Sequence, residues 1–343
     1  MTLAVGIAVA VAGCGRREEP PPPGARPAVL RIGYTPSEEA VSDRAAANQA
    51  LARYLERRLP GLKVTLVRTP SYGPAVEAMT RGEIDLMGLP PFAYVLAGKS
   101  SPVEAIAVTG SAQTGPRTYQ SALIAHRRAG VTLLEELPTL AKQLRFNFTD
   151  PASNSGHLVP QARLAELGLI TERDFESSEF TLSHIVSVFN VAFGRADVAG
   201  VSDTVLQRLI AKGRVRRDDI VTLWTSDPLP NGPIAVRRNL PPNFKRELQQ
   251  ALVGLATIDP VAALAVMEQF PDRNLVFLPC DDSLYDGVRA LAARVNATAT
   301  RGDPPARRAV YSAATSGAGA ATASGAGRPS WSFNRPSTHA AFT

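Results

Sequence analysis

The chain has 343 residues, 45% of them hydrophobic and 20% charged, enough for two domains with a real core and too apolar to be disordered throughout. Its net charge of +6 sits mainly after residue 300, where five Arg meet one Asp, and no aromatic-and-basic stripe marks a nucleic-acid groove. Two cysteines and four histidines, none clustered, give neither a disulfide framework nor metal-ligand spacing, so no metal or cofactor is expected.

Taken in chain order, Leu3 to Ala12 is an apolar run too short to span a bilayer. It ends in Val11-Ala12-Gly13-Cys14, which resembles the bacterial lipoprotein box, although no Lys or Arg precedes the run. The expectation is a signal peptide over 1–13 and lipidation of Cys14. A Pro-rich tether over 14–28 then leads to a folded body that begins at Val29. Val29–Tyr34 reads as a strand and Pro36-Ser37 as a helix start. Leu51, Tyr54, Leu55 and Leu59 share one helical face, which Pro60-Gly61 terminates. Leu62–Val67 is a strand, Ser71 caps a helix ending at Gly82, and Ile84–Met87 is a third strand. This βαβαβ order implies a parallel sheet flanked by helices.

A second unit repeats the grammar. Strands are expected at Ser121–Ala125, Leu144–Phe148, Ala196–Val201 and Ile220–Trp224, and helices at Leu158–Leu167, His184–Phe193 and Asp203–Ile210. The chain then passes through Leu229-Pro230 to Ile234–Val236. Helices follow over 242–257, 260–269 and 282–295, around a short Leu275–Phe277 strand. From Arg301 the Gly, Ala, Ser and Thr content removes any period, which predicts a disordered tail. The organisation expected is therefore lobe 1 over 29–118, lobe 2 over 119–225, a return to lobe 1 over 226–298, and a low-complexity tail over 299–343. A ligand cleft would lie between the lobes.

The chemistry concentrates in TDPASNSGHLVPQ, residues 149–161. Asp150-Pro151 turns the chain out of a strand, Ser153, Asn154 and Ser155 offer hydroxyls and an amide, and Gly156 permits close backbone approach. The following helix begins with unpaired N–H groups and a dipole that favours an anion. From these residues alone, an anion cradle and a plain Ser cap both stand. His184 opens a helix, Asp203 follows a strand, and Tyr34, Tyr72, Tyr94 and Tyr119 lie at element ends, where they suit either a cleft wall or the core's edge. An Asp beside an anion would select a protonated oxyanion, since sulfate has no proton to donate. Cys280 reads as a buried, inert thiol.

Five segments carry a more specific likeness: SYGPAVEAMTRGEIDLMGLPPFAYVLA (71–97), TYQSALIAH (118–126), FTDPASNSGHLVP (148–160), LSHIVSVFNVAFGRADVAGVSD (182–203) and PLPNGPIAVRRNLP (228–241). Together they resemble the phosphate, phosphite and phosphonate substrate-binding proteins of ABC transporters, over about 29 to 295. The resemblance implies a two-lobed α/β type II periplasmic-binding fold, each lobe a mostly parallel sheet flanked by helices. It implies a receptor for a phosphorus oxyanion, with a permease and an ATPase as partners, no catalysis, a periplasmic location and a monomeric state. Carried over by position, Tyr72 and Tyr94 come from lobe 1 and Tyr119 from beside the crossover. Ser153, Asn154, Ser155 and Gly156 form the cradle, and His184 and Asp203 close from lobe 2. Asn154 departs from the family's Ser-Thr-Ser-Gly pattern. The rivals are the same fold with a sulfonate or thiamine-precursor ligand, and a hydrolase using Ser155, His184 and Asp203. The hydrolase lacks a G-x-S-x-G elbow, and the chain has no P-loop and no HExxH motif.

Overall fold

The computed structural model describes residues 26–35, 41–100, 103–268 and 274–302. The expected signal peptide, Cys14, most of the expected tether and the residues beyond Gly302 lie outside the described residues. In chain order the elements are β1 (Val29–Tyr34), α1 (Val41–Arg58), β2 (Lys63–Arg68), α2 (Tyr72–Thr80), β3 (Leu86–Gly88), α3 (Pro91–Ser100), β4 (Val103–Ser111), β5 (Gly115–Pro116), β6 (Thr118–Tyr119) and β7 (Ser121–His126). Then come α4 (Leu137–Leu140), β8 (Arg145–Phe148), a wide turn Asn154–Leu158, α5 (Val159–Glu166), α6 (Thr171–Asp174), β9 (Ser177–Phe180), α7 (His184–Ala192), β10 (Val198–Ser202), α8 (Asp203–Ala211) and β11 (Ile220–Thr225). The chain ends with β12 (Leu229–Pro230), β13 (Pro233–Arg237), α9 (Pro242–Ile258), α10 (Pro260–Met267), β14 (Val276–Pro279) and α11 (Asp286–Gly302).

Two principal sheets form. One has the order β14-β4-β13-β3-β1-β2, with β5 beside β4, and the other has the order β11-β7-β10-β8-β9. Each is covered on both faces. In the first, Leu51, Tyr54, Leu248 and Val266 pack on one side, and Ala75, Met79, Tyr94 and Tyr285 on the other. In the second, Phe146, Phe148 and Leu164 oppose Val188, Leu206 and Leu209. Burying each of the larger aliphatic and Phe side chains contributes about 1.5–3 kcal/mol, which holds both layers to each sheet.

The sheets are mixed, where the resemblance implied mostly parallel ones. β1 pairs in parallel with β2 and β3, and β8 with β9 and β10. The strands entering directly from the crossover run against their neighbours: β7 against β10 and β11, and β13 against β3 and β4. A helical crossover returns the chain to the same end of a sheet, whereas the interlobe connection delivers it from the cleft end.

The lobes share one internal brace. Arg31 on β1 donates Nε and Nη2 to the Asp85 carboxylate, which also accepts the Arg31 N–H. Arg145 on β8 repeats this on Asp197, donating N–H and Nε at 2.9 and 2.8 Å. Asp85 and Asp197 both stand in G-x-x-D, one residue before the next strand of the βαβ unit. Burial works against the Asp85 charge, but Arg31 and Arg237 hold its carboxyl below the usual range.

Two connections cross between the sheets and pair as a ribbon, Leu229 with Tyr119 and Pro230 with Thr118. Gln120 and Ser226 lock it: Gln120 Nε2 donates to the Ser226 carbonyl, and Ser226 Oγ accepts the Ser121 N–H at 3.0 Å. The last helix, expected to stop at 295, runs to Gly302.

Candidate ligand-binding site

The carboxyl ends of β1, β3, β8 and β10 converge on a cavity of about 200 Å³, the position where open α/β sheets present ligands. Tyr34, Asn48, Tyr72 and Thr109 from the first sheet and its helices line it together with Ser153, Asn154, Ser155, His184, Thr204 and Arg208 from the second sheet and its helices, with Arg117 and Tyr119 at the crossing.

The cradle is built by one irregularity. Leaving β8, the chain forms a π-helical turn in which Leu158 N–H donates to the Ser153 carbonyl, five residues back. A wide turn of this kind needs its inner face cleared. A Cβ on Gly156 would lie 1.8 Å from Thr149 Oγ1, so only glycine lets the turn settle against the end of β8. Thr149 N–H donates to the Gly156 carbonyl, which pins this contact.

Ser153 is the most constrained group. Its Oγ accepts the Gly156 N–H at 3.0 Å and lies 3.2 Å from His184 Nε2. His184 Nδ1 accepts the Ser202 N–H at 2.9 Å, so Nδ1 bears no proton and Nε2 carries it toward Ser153. With both lone pairs of Oγ engaged, the Ser153 hydroxyl proton is left to point into the cavity. The same bonds remove the hydrolase geometry. His184 meets Ser153 rather than Ser155, and its second nitrogen takes a backbone N–H instead of a carboxylate.

Six of the nine expected ligand residues line the cavity: Tyr72, Tyr119, Ser153, Asn154, Ser155 and His184. Three do not. Tyr94 is 1% exposed, packs edge-on against Tyr285, and its hydroxyl donates to Asp282 at 2.5 Å, so it is a core residue. Gly156 shapes the turn from behind, its N–H consumed by Ser153. Asp203 lies beside the cavity, where its Oδ1 accepts the Gln120 N–H at 2.9 Å and the Thr204 hydroxyl at 3.2 Å. Asp203 thus anchors the crossing strand and stands outside the cavity lining.

The residues missed are equally informative. Arg117 and Arg208, not among the expected residues, line the cavity. Neither has a local motif, because the crossing and α8 bring them together only in space. Asp150, expected only to turn the chain, reaches the other lobe. Its Oδ2 accepts the Tyr72 N–H at 3.0 Å at the start of α2, while Oδ1 accepts the Ala152 N–H at 2.8 Å. Ser71, the residue before α2, makes no side-chain cap of its own, so Asp150 caps that helix across the lobes. Burial pushes the Asp150 carboxyl up despite these N–H groups. His157 is buried against Phe148 and Phe180. Cys280 is half-buried rather than fully buried. Burial, with Asp281 and Asp282 nearby, pushes its thiol up and away from the reactive thiolate.

Residues 32–285 match the family model described as ABC transporter, phosphonate, periplasmic substrate-binding protein. The phosphate-import protein PhnD of Mycolicibacterium smegmatis is 28% identical over 306 residues, covering 84% of this chain and 93% of that protein. A binding-protein component of an ABC phosphonate transporter from Pseudomonas aeruginosa superposes with a TM-score of 0.70 at 23% identity, over 84% of this chain and 93% of that one. PhnD1 from Prochlorococcus marinus, solved with methylphosphonate, gives 0.67 at 17% identity, over 78% and 98%.

Proposed function

The chain belongs to the periplasmic phosphonate substrate-binding proteins of ABC transporters, and from that premise we propose that it captures phosphate, phosphite or a small phosphonate between its lobes for an importer. The observation that carries this reading is Ser153, whose hydroxyl proton is aimed into the cavity by two donors on its oxygen. Around it, the Ser155 hydroxyl and the first N–H groups of the wide turn supply further donors to an oxyanion. Arg117 and Arg208 also line the cavity, and no Asp or Glu among the described residues does.

The protein acts by binding alone. Closure would be carried by the β6–β12 ribbon, and the closed lobes would dock on a permease driven by an ATPase. It works in the periplasm as a monomer, tethered by a lipid on Cys14. A Cys14→Ala variant that stays with the membrane fraction would remove the anchor from this reading.

Calorimetric titration with phosphate, phosphite and methylphosphonate tests the function. At least one should bind with micromolar affinity or better, and Ser153→Ala should weaken it about ten- to a hundredfold, as for loss of a charge-assisted hydrogen bond. Failure of all three to bind would refute the proposal.

A further inference from the structure

Asn154 sits inside the cradle, 1% exposed, and lines the cavity. Its Nδ2 reaches the Tyr119 hydroxyl at 3.4 Å, and its Oδ1 is buried with no hydrogen-bond partner. A buried acceptor of this kind is costly unless something donates to it. Its surroundings are otherwise rich in donors: the Ser153 and Ser155 hydroxyls and the turn's N–H groups. Such a setting satisfies the oxygens of an anion and leaves the carbonyl of Asn154 wanting a proton.

We infer that Asn154 Oδ1 accepts a hydrogen bond from a protonated oxygen of the ligand, so the site takes its oxyanion as the singly protonated monoanion. The inference rests on the phosphorus-oxyanion reading above and sharpens it to one protonation state. Asn154, which lines the cavity where Asp203 does not, then does the sorting first expected of Asp203. A phosphonate monoanion brings one P–OH donor, whereas a sulfonate of the same shape brings none and leaves Oδ1 unpaired. Unlike a carboxylate, the neutral amide filters without repelling the ligand's charge. The opposite amide orientation, with Oδ1 toward Tyr119, would present a donor to the cavity and make the site blind to the ligand's proton.

The experiment is titration calorimetry of the full chain with methylphosphonate and methanesulfonate, at about pH 8.5 in buffers of different ionisation enthalpy. Above the phosphonate's second ionisation, each binding event should take up one proton. Affinity for total phosphonate should then fall by about tenfold per pH unit. Methanesulfonate should bind about ten- to a hundredfold more weakly than methylphosphonate at pH 6, the cost of an unpaired buried acceptor. Asn154→Asp should keep the proton uptake, and Asn154→Ala should narrow the gap between the two ligands. Binding of methylphosphonate without proton uptake, or equal affinity for methanesulfonate, overturns the inference alone. Absence of phosphonate binding at either pH overturns it together with the function beneath it.

Discussion

His157 makes the stability of the protein depend on pH in a calculable way. Its ring lies in the wide turn with its centroid 4.9 Å from that of Phe148 and 5.0 Å from that of Phe180. Nδ1 is 2.8 Å from the Pro151 carbonyl, which can only accept, so Nδ1 carries the proton of a neutral ring. Burial pushes the imidazole down to about 4, against an ordinary value of 6.5, and the Pro151 carbonyl and Glu172 offset only part of this. The folded state thus refuses a proton that the unfolded state accepts. Stability is full above about pH 6.5, is lost as the pH falls toward 4, and is level below that. The whole window is worth about 3 kcal/mol, of which about 2 kcal/mol is gone by pH 5. For a body of this size that is about 4 °C in Tm. Differential scanning calorimetry of ligand-free protein at pH 7.5 and 5.0 reads it, with His157→Asn as the reference that keeps a donor for Pro151 but does not titrate. The variant is less stable at both pH values, and its loss between them should be smaller by about 2 kcal/mol. Asp150, whose carboxyl is raised by burial, contributes in the opposite sense, but it is present in both proteins and cancels. Equal losses in the two proteins would refute the account of His157.

The cradle yields three more expectations. Gly156→Ala forces a methyl to within 1.8 Å of Thr149 Oγ1, so it should cost about 1–3 kcal/mol of stability and abolish oxyanion binding by titration. Thr149 Oγ1 is itself buried without a partner, so Thr149→Val should raise stability by about 1 kcal/mol in urea denaturation, and a loss would show that the hydroxyl has an unrecognised role. Asp150→Asn removes the charge that caps α2 from the other lobe, and ligand affinity should fall about three- to tenfold as the closed form loses that contact. Small-angle scattering with saturating ligand should still reach the compact form in that variant.

What the sequence made legible was what local periodicity encodes. The amphipathic helices and β1 were readable because one face is apolar and the ends carry Pro, Gly or Ser. β4 and α3 were missed for the opposite reason. Val103–Ser111 is buried on both faces and Pro91–Ser100 is apolar nearly all round, so neither shows alternation. β9, a short polar edge strand, lacked any pattern. Ser153, Asn154 and Ser155 line the cavity together because they are contiguous in sequence. Tyr94 misled because a Tyr at a helix start serves a cleft wall and a core equally, and only the distant Asp282 decides between them. Arg117 and Arg208 were invisible because the crossing strand and α8 meet through folding alone. The repeated G-x-x-D before β3 and β10 was the one long-range signal available, since its carboxylate must find an Arg on the neighbouring strand.

The physical logic of residues 149–156 follows from two tasks sharing one turn. Asp150 reaches forward to the N-terminus of α2 in the first lobe, and Ser153 to Ser155, three residues on, line the cavity that both sheets enclose. Between them, Ala152 N–H bonds back to Asp150, and Gly156 presses the turn onto Thr149. None of these groups can shift without the others, because the side chains are buried and the glycine has no slack behind it. Under the proposed function, a ligand held by the Ser153 and Ser155 hydroxyls would be coupled through this turn to the Asp150 cap on α2, and such coupling is reciprocal. A plain helix cap would need only Ser153. The full segment, with a carboxylate at one end, a glycine at the other and donors between, is what a turn requires if it is to sense the ligand and the opposite lobe at once.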